Sequence, residues 1–269
     1  ALGLEPDNPR TLLAKGMALA GIGRYDEAVK AFDDVIEIDP GIAEAYYQRG
    51  LALLELTRYD DAILAFNEAA ETDPAHESAH YYTGTTLLKT GRYEDALAVF
   101  DRLLALSPKN PKALFHKGLA CLNLDQHDEA ARLFTEAVGI DSSLREASRF
   151  TGIALTKLGR FEEAIESFDR ELVLNPRNTD AAIRKGIALV SLEKYKIAIS
   201  IFRKSLETDP KNIRAWCYLG HSLAALEQYE EAVNAYDRVL ETDRQCARAY
   251  FGKGMALSRL GKPLEAVIA

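Results

Sequence analysis

The chain has 269 residues, 48% of them hydrophobic and 28% charged, and 41 acidic against 33 basic side chains leave it a net charge of -8. That balance belongs to a folded protein rather than a disordered one, and its sign argues against general attraction to nucleic acid or to an anionic membrane. Cys121, Cys217 and Cys246 contain no C-x-x-C pair and are odd in number, which points to a reducing compartment, the cytoplasm; no stretch approaches the roughly 18 apolar residues of a spanning helix, and the first residues lack the pattern of a signal peptide.

In chain order, ALGLEPDN at 1–8 is in phase with AAETDPAH at 69–76 and reads as the tail of a preceding, truncated repeat. From Pro9, taken as position one, a 34-residue unit recurs: GRYDEAVKAFDDVIEIDP at 23–40 returns in variant form at 57, 91, 125, 159, 193 and 227. The complete units are 9–42, 43–76, 77–110, 111–144, 145–178, 179–212 and 213–246, with a partial one at 247–269. A fixed period of this length is the mark of a stacked array. Within each unit apolar residues recur at threes and fours over two stretches, which predicts two amphipathic helices of about 14 residues, each about 20 Å long. Neither is stable alone in water, so each hairpin needs the next to cover its apolar face.

Position eight is glycine and position twenty alanine in every copy, from Gly16 and Ala28 to Gly254 and Ala266. A mid-helix glycine costs roughly 1 kcal/mol relative to alanine, and close packing of the alanine from the second helix is the expected compensation. An aromatic at position twenty-four, from Phe32 to Tyr236, fills the space between successive helices. A ring at position seventeen opens the second helix, followed by acidic pairs such as Asp26-Glu27 that meet the positive end of its dipole. Pro40, Pro74, Pro108, Pro176 and Pro210 stop that helix. The fourth unit departs most, with Cys121, His127, Gly139 and Ser142 in place of the usual residues. Without a proline at Ser142 its second helix is expected to run on and change the curvature there.

These residues resemble the tetratricopeptide repeat: a large residue at four, glycine at eight, alanine at twenty, an aromatic at twenty-four and proline at thirty-two recur along essentially the whole chain, best in AEAYYQRGLALLELTRYDDAILAFNEAAETDPAH at 43–76. The resemblance implies an all-α solenoid, a right-handed superhelix of antiparallel helix pairs whose first helices line a concave groove and whose second helices form the convex back. It also implies that positions two, five, six, nine, twelve and thirteen face the groove. The lysine and asparagine set with which some members grip a carboxylate terminus is not assembled here; Lys112 and Arg184 match single slots of different trios.

The groove positions vary from copy to copy, and that is where specificity is expected. Tyr47, Leu51, Tyr81, Tyr82, Phe115 and Leu119 make an apolar, largely aromatic track, continued by Phe150 and Tyr218. Arg149, Arg184 and Arg214 stand on the same face in the C-terminal half, with Lys157, Arg248 and Arg259, and with Glu146 and Asp180 as local partners. This suits a protein or peptide ligand with an apolar part and a carboxylate-bearing part. Against that reading, the rings serve to pack neighbouring first helices and the arginines are neutralised by bridges between repeats.

Three functions remain open at this stage: a non-enzymatic scaffold holding a peptide or helical segment of a partner; a regulatory or substrate-docking arm of a larger enzyme; and an array that associates end to end through uncapped terminal pairs. No catalytic, cofactor-binding or metal-binding set emerges. His76 and His80 have the spacing of a metal pair but fall on a turn and a core position, Gly21-Ile22-Gly23 is a hairpin turn without the strand and lysine of a phosphate loop, and Cys121 stands in for a core leucine.

Overall fold

A computed structural model describes residues 8–268, the side chains of Arg145, Val267 and Ile268 excepted; all but Asn8 of the stretch read as a truncated repeat tail lies outside it. The chain divides into two compact units, Ala1–Asp141 and Ser142–Ala269. Described residues of the first form α1 (Pro9–Gly21), α2 (Tyr25–Ile38), α3 (Ala43–Glu55), α4 (Tyr59–Thr72), α5 (Glu77–Lys89), α6 (Tyr93–Leu106), α7 (Pro111–Asn123) and α8 (His127–Ile140). Those of the second form α9 (Arg145–Lys157), α10 (Phe161–Leu174), α11 (Thr179–Ser191), α12 (Tyr195–Thr208), α13 (Ile213–Ala225), α14 (Tyr229–Thr242), α15 (Ala247–Arg259) and α16 (Pro263–Ile268). No strand occurs among the described residues. The architecture is an all-α repeat solenoid, and both the odd and the even helices start 34 residues apart.

Each helix end has a local cause. Asn110, Asn178 and Asn212 cap α7, α11 and α13 by accepting from the backbone N–H three residues on at 3.0–3.1 Å, and His76 Nδ1 does the same for α5. The second helices from α2 to α14 have no side-chain cap and, except for α12, which opens Tyr195-Lys196-Ile197, carry acidic residues in the first turn. Hairpin turns close with a residue in the left-handed region: Gly23, Gly91, Gly159 and Gly261 at φ of 73–78°, but Thr57, Asp125, Glu193 and Glu227 at 56–60°. The residue after it returns its N–H to the carbonyl five before, Arg24 to Leu19 and Arg58 to Leu53 at 2.9 Å, which satisfies an otherwise orphaned helix end. Large residues at position four tie down the loop before them: Trp216 Nε1 donates to the Pro210 carbonyl at 2.9 Å and the Tyr250 hydroxyl to that of Arg244 at 3.2 Å.

The core of each unit is a row of rings. Phe32, Phe66, Phe100, Phe134, Phe168 and Phe202 are fully buried, each contributing about 1.5–3 kcal/mol by burial. They also explain the glycines. A Cβ placed on Gly50, Gly118 or Gly152 would lie 2.5–2.7 Å from the ring of Phe66, Phe134 or Phe168. The tight partner of position eight is therefore the position-twenty-four ring rather than the alanine expected; only Gly254, on α15, has the position-twenty residue, the Ala266 carbonyl, nearest among its contacts.

The fourth unit does not let its second helix run on. α8 ends at Ile140, Asp141 turns extended and its N–H bonds the Ala137 carbonyl at 2.9 Å, as Asp39 does to Val35 in α2 at 2.8 Å. The stop is made by this extended residue, and the proline that follows it elsewhere is not required. The division between the two compact units nevertheless falls directly after Asp141.

Candidate functional site

In the first unit the first helices carry a ladder of rings. Tyr82 stacks on the buried Phe66 with centroids 5.6 Å apart, His116 on Phe100 at 6.0 Å, and in the second unit Tyr218 on Phe202 at 6.2 Å. Position six of one copy thus covers the position-twenty-four ring of the copy before. Tyr47 reaches Tyr82 at 5.9 Å and the His76 ring at 4.8 Å, and Tyr81 meets His116 edge-on at 5.3 Å. Tyr47, Tyr81, Tyr82, Leu51 and Leu119 are half-buried, presenting one side outward while the other packs. Burial, then the neighbouring Tyr82, pushes the Tyr47 phenol above its ordinary value, and burial does the same to Tyr81.

Phe115 departs from expectation: it is only 7% exposed and packs on Phe134 with centroids 5.6 Å apart. Ile183 and Cys217, at the same register in the second unit, are likewise buried. Position five is therefore buried in some copies and half-buried in others, as at Tyr47, Tyr81 and Arg149. Where α15 has no later pair described beside it, Phe251 at that position is 74% exposed.

The second unit presents cations. Asp180 on α11 gathers three guanidiniums: Arg184 Nε at 2.8 Å, with Arg149 from α9 and Arg214 from α13 each at 3.5 Å. Arg149 also reaches Glu146 at 3.7 Å and lies 4.5 Å over the Phe150 ring. Three guanidiniums thus face two carboxylates, and Arg214 keeps half its side chain in solvent. Beside them, α9 and α11 leave a small cleft of about 90 Å³ with Ile153, Ile187 and Phe168 as its apolar walls and Lys157 and Arg184 as its cations. Tyr218 lies instead under Arg248, whose guanidinium is 4.5 Å above the ring. The ion pairs bridge repeats, and the arginines outnumber the carboxylates that hold them.

Other residues singled out from sequence are engaged structurally. His76 caps α5 through Nδ1, and a ring nitrogen of His80 lies 3.1 Å from the Pro74 carbonyl. No three metal-ligating side chains converge among the described residues. Cys121 is buried, and burial raises its thiol. No helix among the described residues is long and apolar enough to cross a membrane. A recurrent bridge escaped the sequence reading: a basic residue at position seven meets an acid at position twenty-five of the preceding copy, in Arg49–Asp33 and Lys117–Asp101 at 2.7 Å, Lys185–Asp169 at 2.5 Å and Lys253–Asp237 at 2.8 Å. Its signal was a 16-residue spacing of opposite charges in alternate copies.

The profile described as Tetratricopeptide repeat matches residues 1–43, 13–77, 47–111, 81–144 and 217–269, and residues 159–239 match one described as Anaphase-promoting complex, cyclosome, subunit 3. Comparison with curated proteins finds no match. Among solved structures the chain is similar to the C-terminal part of a TPR repeat-containing protein from Cytophaga hutchinsonii, with a TM-score of 0.75 and 17% identity over 89% of this chain and 98% of that one. It is similar to YrrB, a TPR protein with an unusual peptide-binding site, at 0.63 and 22% over 70% and 96%, and to MamA 41-end from Desulfovibrio magneticus RS-1 at 0.60 and 23% over 65% and 99%. At these identities the likeness carries the fold alone. The tetratricopeptide profile covers well over half the sequence, its register is that of the helix starts, and the chain belongs to the tetratricopeptide repeat family.

Proposed function

We propose that the chain is a non-catalytic interaction scaffold whose first-helix face holds a peptide or helical segment of another protein, and that the segment taken by the second unit carries an apolar side chain next to a carboxylate. The observation that carries this is the α9–α11 cleft, where Ile153 and Ile187 adjoin Lys157 and Arg184, with Arg149 and Arg214 held ready by Asp180. Prepaired guanidiniums are already oriented, so a ligand carboxylate gains charge-assisted bonds at little cost in side-chain freedom. In the first unit the outward sides of Tyr47, Tyr81 and Tyr82, with Leu51 and Leu119, offer apolar contact, while Phe115 supplies support from within. The peptide-binding site of YrrB lends the reading a precedent within the fold.

Fluorescence polarisation with labelled peptides tests it. Peptides in which leucine or phenylalanine is followed by aspartate or glutamate are expected to bind, and the same peptides with lysine in place of the acid are not. Arg149→Gln with Arg184→Gln is expected to weaken binding at least about tenfold, roughly 1.4 kcal/mol, with the melting temperature little changed. Indifference to the sign of the peptide's charge would sink the proposal.

A further inference from the structure

Two of the chain's three cysteines belong to one unit, Cys217 at position five on α13 and Cys246 at position thirty-four, where it precedes α15. The copy at 43–76 shows what that spacing brings together: Tyr47 and His76, at the same two positions, have ring centroids 4.8 Å apart. In the seventh copy Cys246 likewise packs against the apolar cluster that contains Cys217, Tyr236 and Val239, close enough to Cys217 for the two thiols to influence each other's titration. Both are reduced.

The choice of cysteine at position thirty-four is costly to the helix that follows. Asn110, Asn178 and Asn212 cap their helices from this position, whereas Ile42, Leu144 and Cys246 make no side-chain cap bond, and α15, unlike α3 and α9, also has no acidic residue in its first turn. What sets Cys246 apart from Ile42 and Leu144 is the second cysteine beside it.

We propose that Cys217 and Cys246 form a redox couple that closes a disulfide between α13 and the start of α15, with glutathione disulfide as the oxidant. Cys246, the more exposed of the two, loses its proton and attacks one sulfur of glutathione disulfide, whose S–S bond breaks to release one glutathione thiolate. Cys217 in turn loses its proton and attacks the Cys246 sulfur of the mixed disulfide, expelling the second glutathione thiolate. The two cysteines are oxidised by two electrons, glutathione disulfide is reduced by two, and the two released thiolates take up the two protons. Burial first, then the facing thiol, pushes Cys217 up to about 11, which makes ring closure the slower step. The bond ties α15, whose outer face bears the exposed Phe251 and Met255, to the interior of its own unit.

The test treats the full chain with excess glutathione disulfide at neutral pH, blocks remaining thiols with N-ethylmaleimide, and maps the unreduced digest by mass spectrometry. A linked peptide pair joining Cys217 to Cys246 is expected, reversible with dithiothreitol, while Cys121→Ser forms it equally well. Hydrogen exchange across α15 is expected to slow at least about tenfold on oxidation, and Cys246→Ser, whose serine can cap the helix, abolishes both effects. Three results overturn the proposal: stable glutathionylation of Cys246 without ring closure, a bond between chains through Cys246, or a Cys217–Cys246 link that forms only in urea.

Discussion

The two compact units share an interior and differ on the outside. Gly50 faces Phe66 in the first as Gly152 faces Phe168 in the second, and the six position-twenty-four phenylalanines are buried alike. At positions five and six, by contrast, the first unit places Tyr47, Tyr81, Tyr82 and Phe115, which pack ring on ring, while the second places Arg149 and Arg184 around Asp180. The same register thus carries rings in the first unit, whereas in the second it mixes buried or stacked residues such as Ile183, Cys217 and Tyr218 with the partly exposed arginines. The glycine and its ring set the spacing of the helices in both, so the outer positions are free to diverge without altering the pairs that carry them.

The largest effects test the shared interior. Phe66→Ala and Phe168→Ala are each expected to cost about 3–5 kcal/mol, because each removes a fully buried ring that the preceding glycine cannot refill. Urea denaturation followed by tryptophan fluorescence and circular dichroism measures this, although Trp216, the single tryptophan, reports on the second unit alone. A loss of less than 1 kcal/mol in either unit breaks the claim of a common interior.

The outer positions separate the units more sharply. Phe115→Ala is expected to cost about 3 kcal/mol or more, since the ring is 7% exposed and packed on Phe134. Replacing Arg149, Arg184 and Arg214 together with glutamine is expected to change stability by no more than about 1 kcal/mol, because these ion pairs are partly solvated and each is weak on its own. Thermal melts of the two variants side by side decide it. Equal destabilisation would mean that the cation cluster is as structural as the rings, and the case for a ligand there would lose its ground.

The contrast also shows what sequence makes legible in a repeat. Period, pairing and the identity of the buried ring could be read from recurrence, because every copy solves the same packing problem with the same residue. The partner of glycine could not: an alanine and an aromatic ring both recur in register with it, and only the direction of the Phe66 ring shows which one meets Gly50. Position five misled for the opposite reason. It varies from copy to copy like a surface position, yet Phe115, Ile183 and Cys217 are buried. Of the candidate site, the arginines and their partners Glu146 and Asp180 were visible as nearby charges; that one carboxylate holds three guanidiniums depends on helix spacing, which no single copy records.

The smallest effect concerns the hairpin turns, where the copies differ without regard to unit. Gly23 and Gly91 in the first unit and Gly159 and Gly261 in the second occupy the left-handed region at no steric cost, while Thr57 and Glu193 are held there with φ of 58°. Threonine is the poorer fit, since its branched Cβ crowds the following carbonyl in that conformation. Thr57→Gly is therefore expected to stabilise the chain by about 0.5–1 kcal/mol and Glu193→Gly by somewhat less, the gain being reduced in both by the greater freedom of glycine in the unfolded chain. Because Thr57 closes the hairpin of α3 and α4 and Glu193 that of α11 and α12, the two substitutions sample one turn in each unit. Matched gains in chemical denaturation show that the hairpin, like the glycine–ring contact, is common property of both; a gain confined to one unit shows that its turn is strained by something outside the repeat.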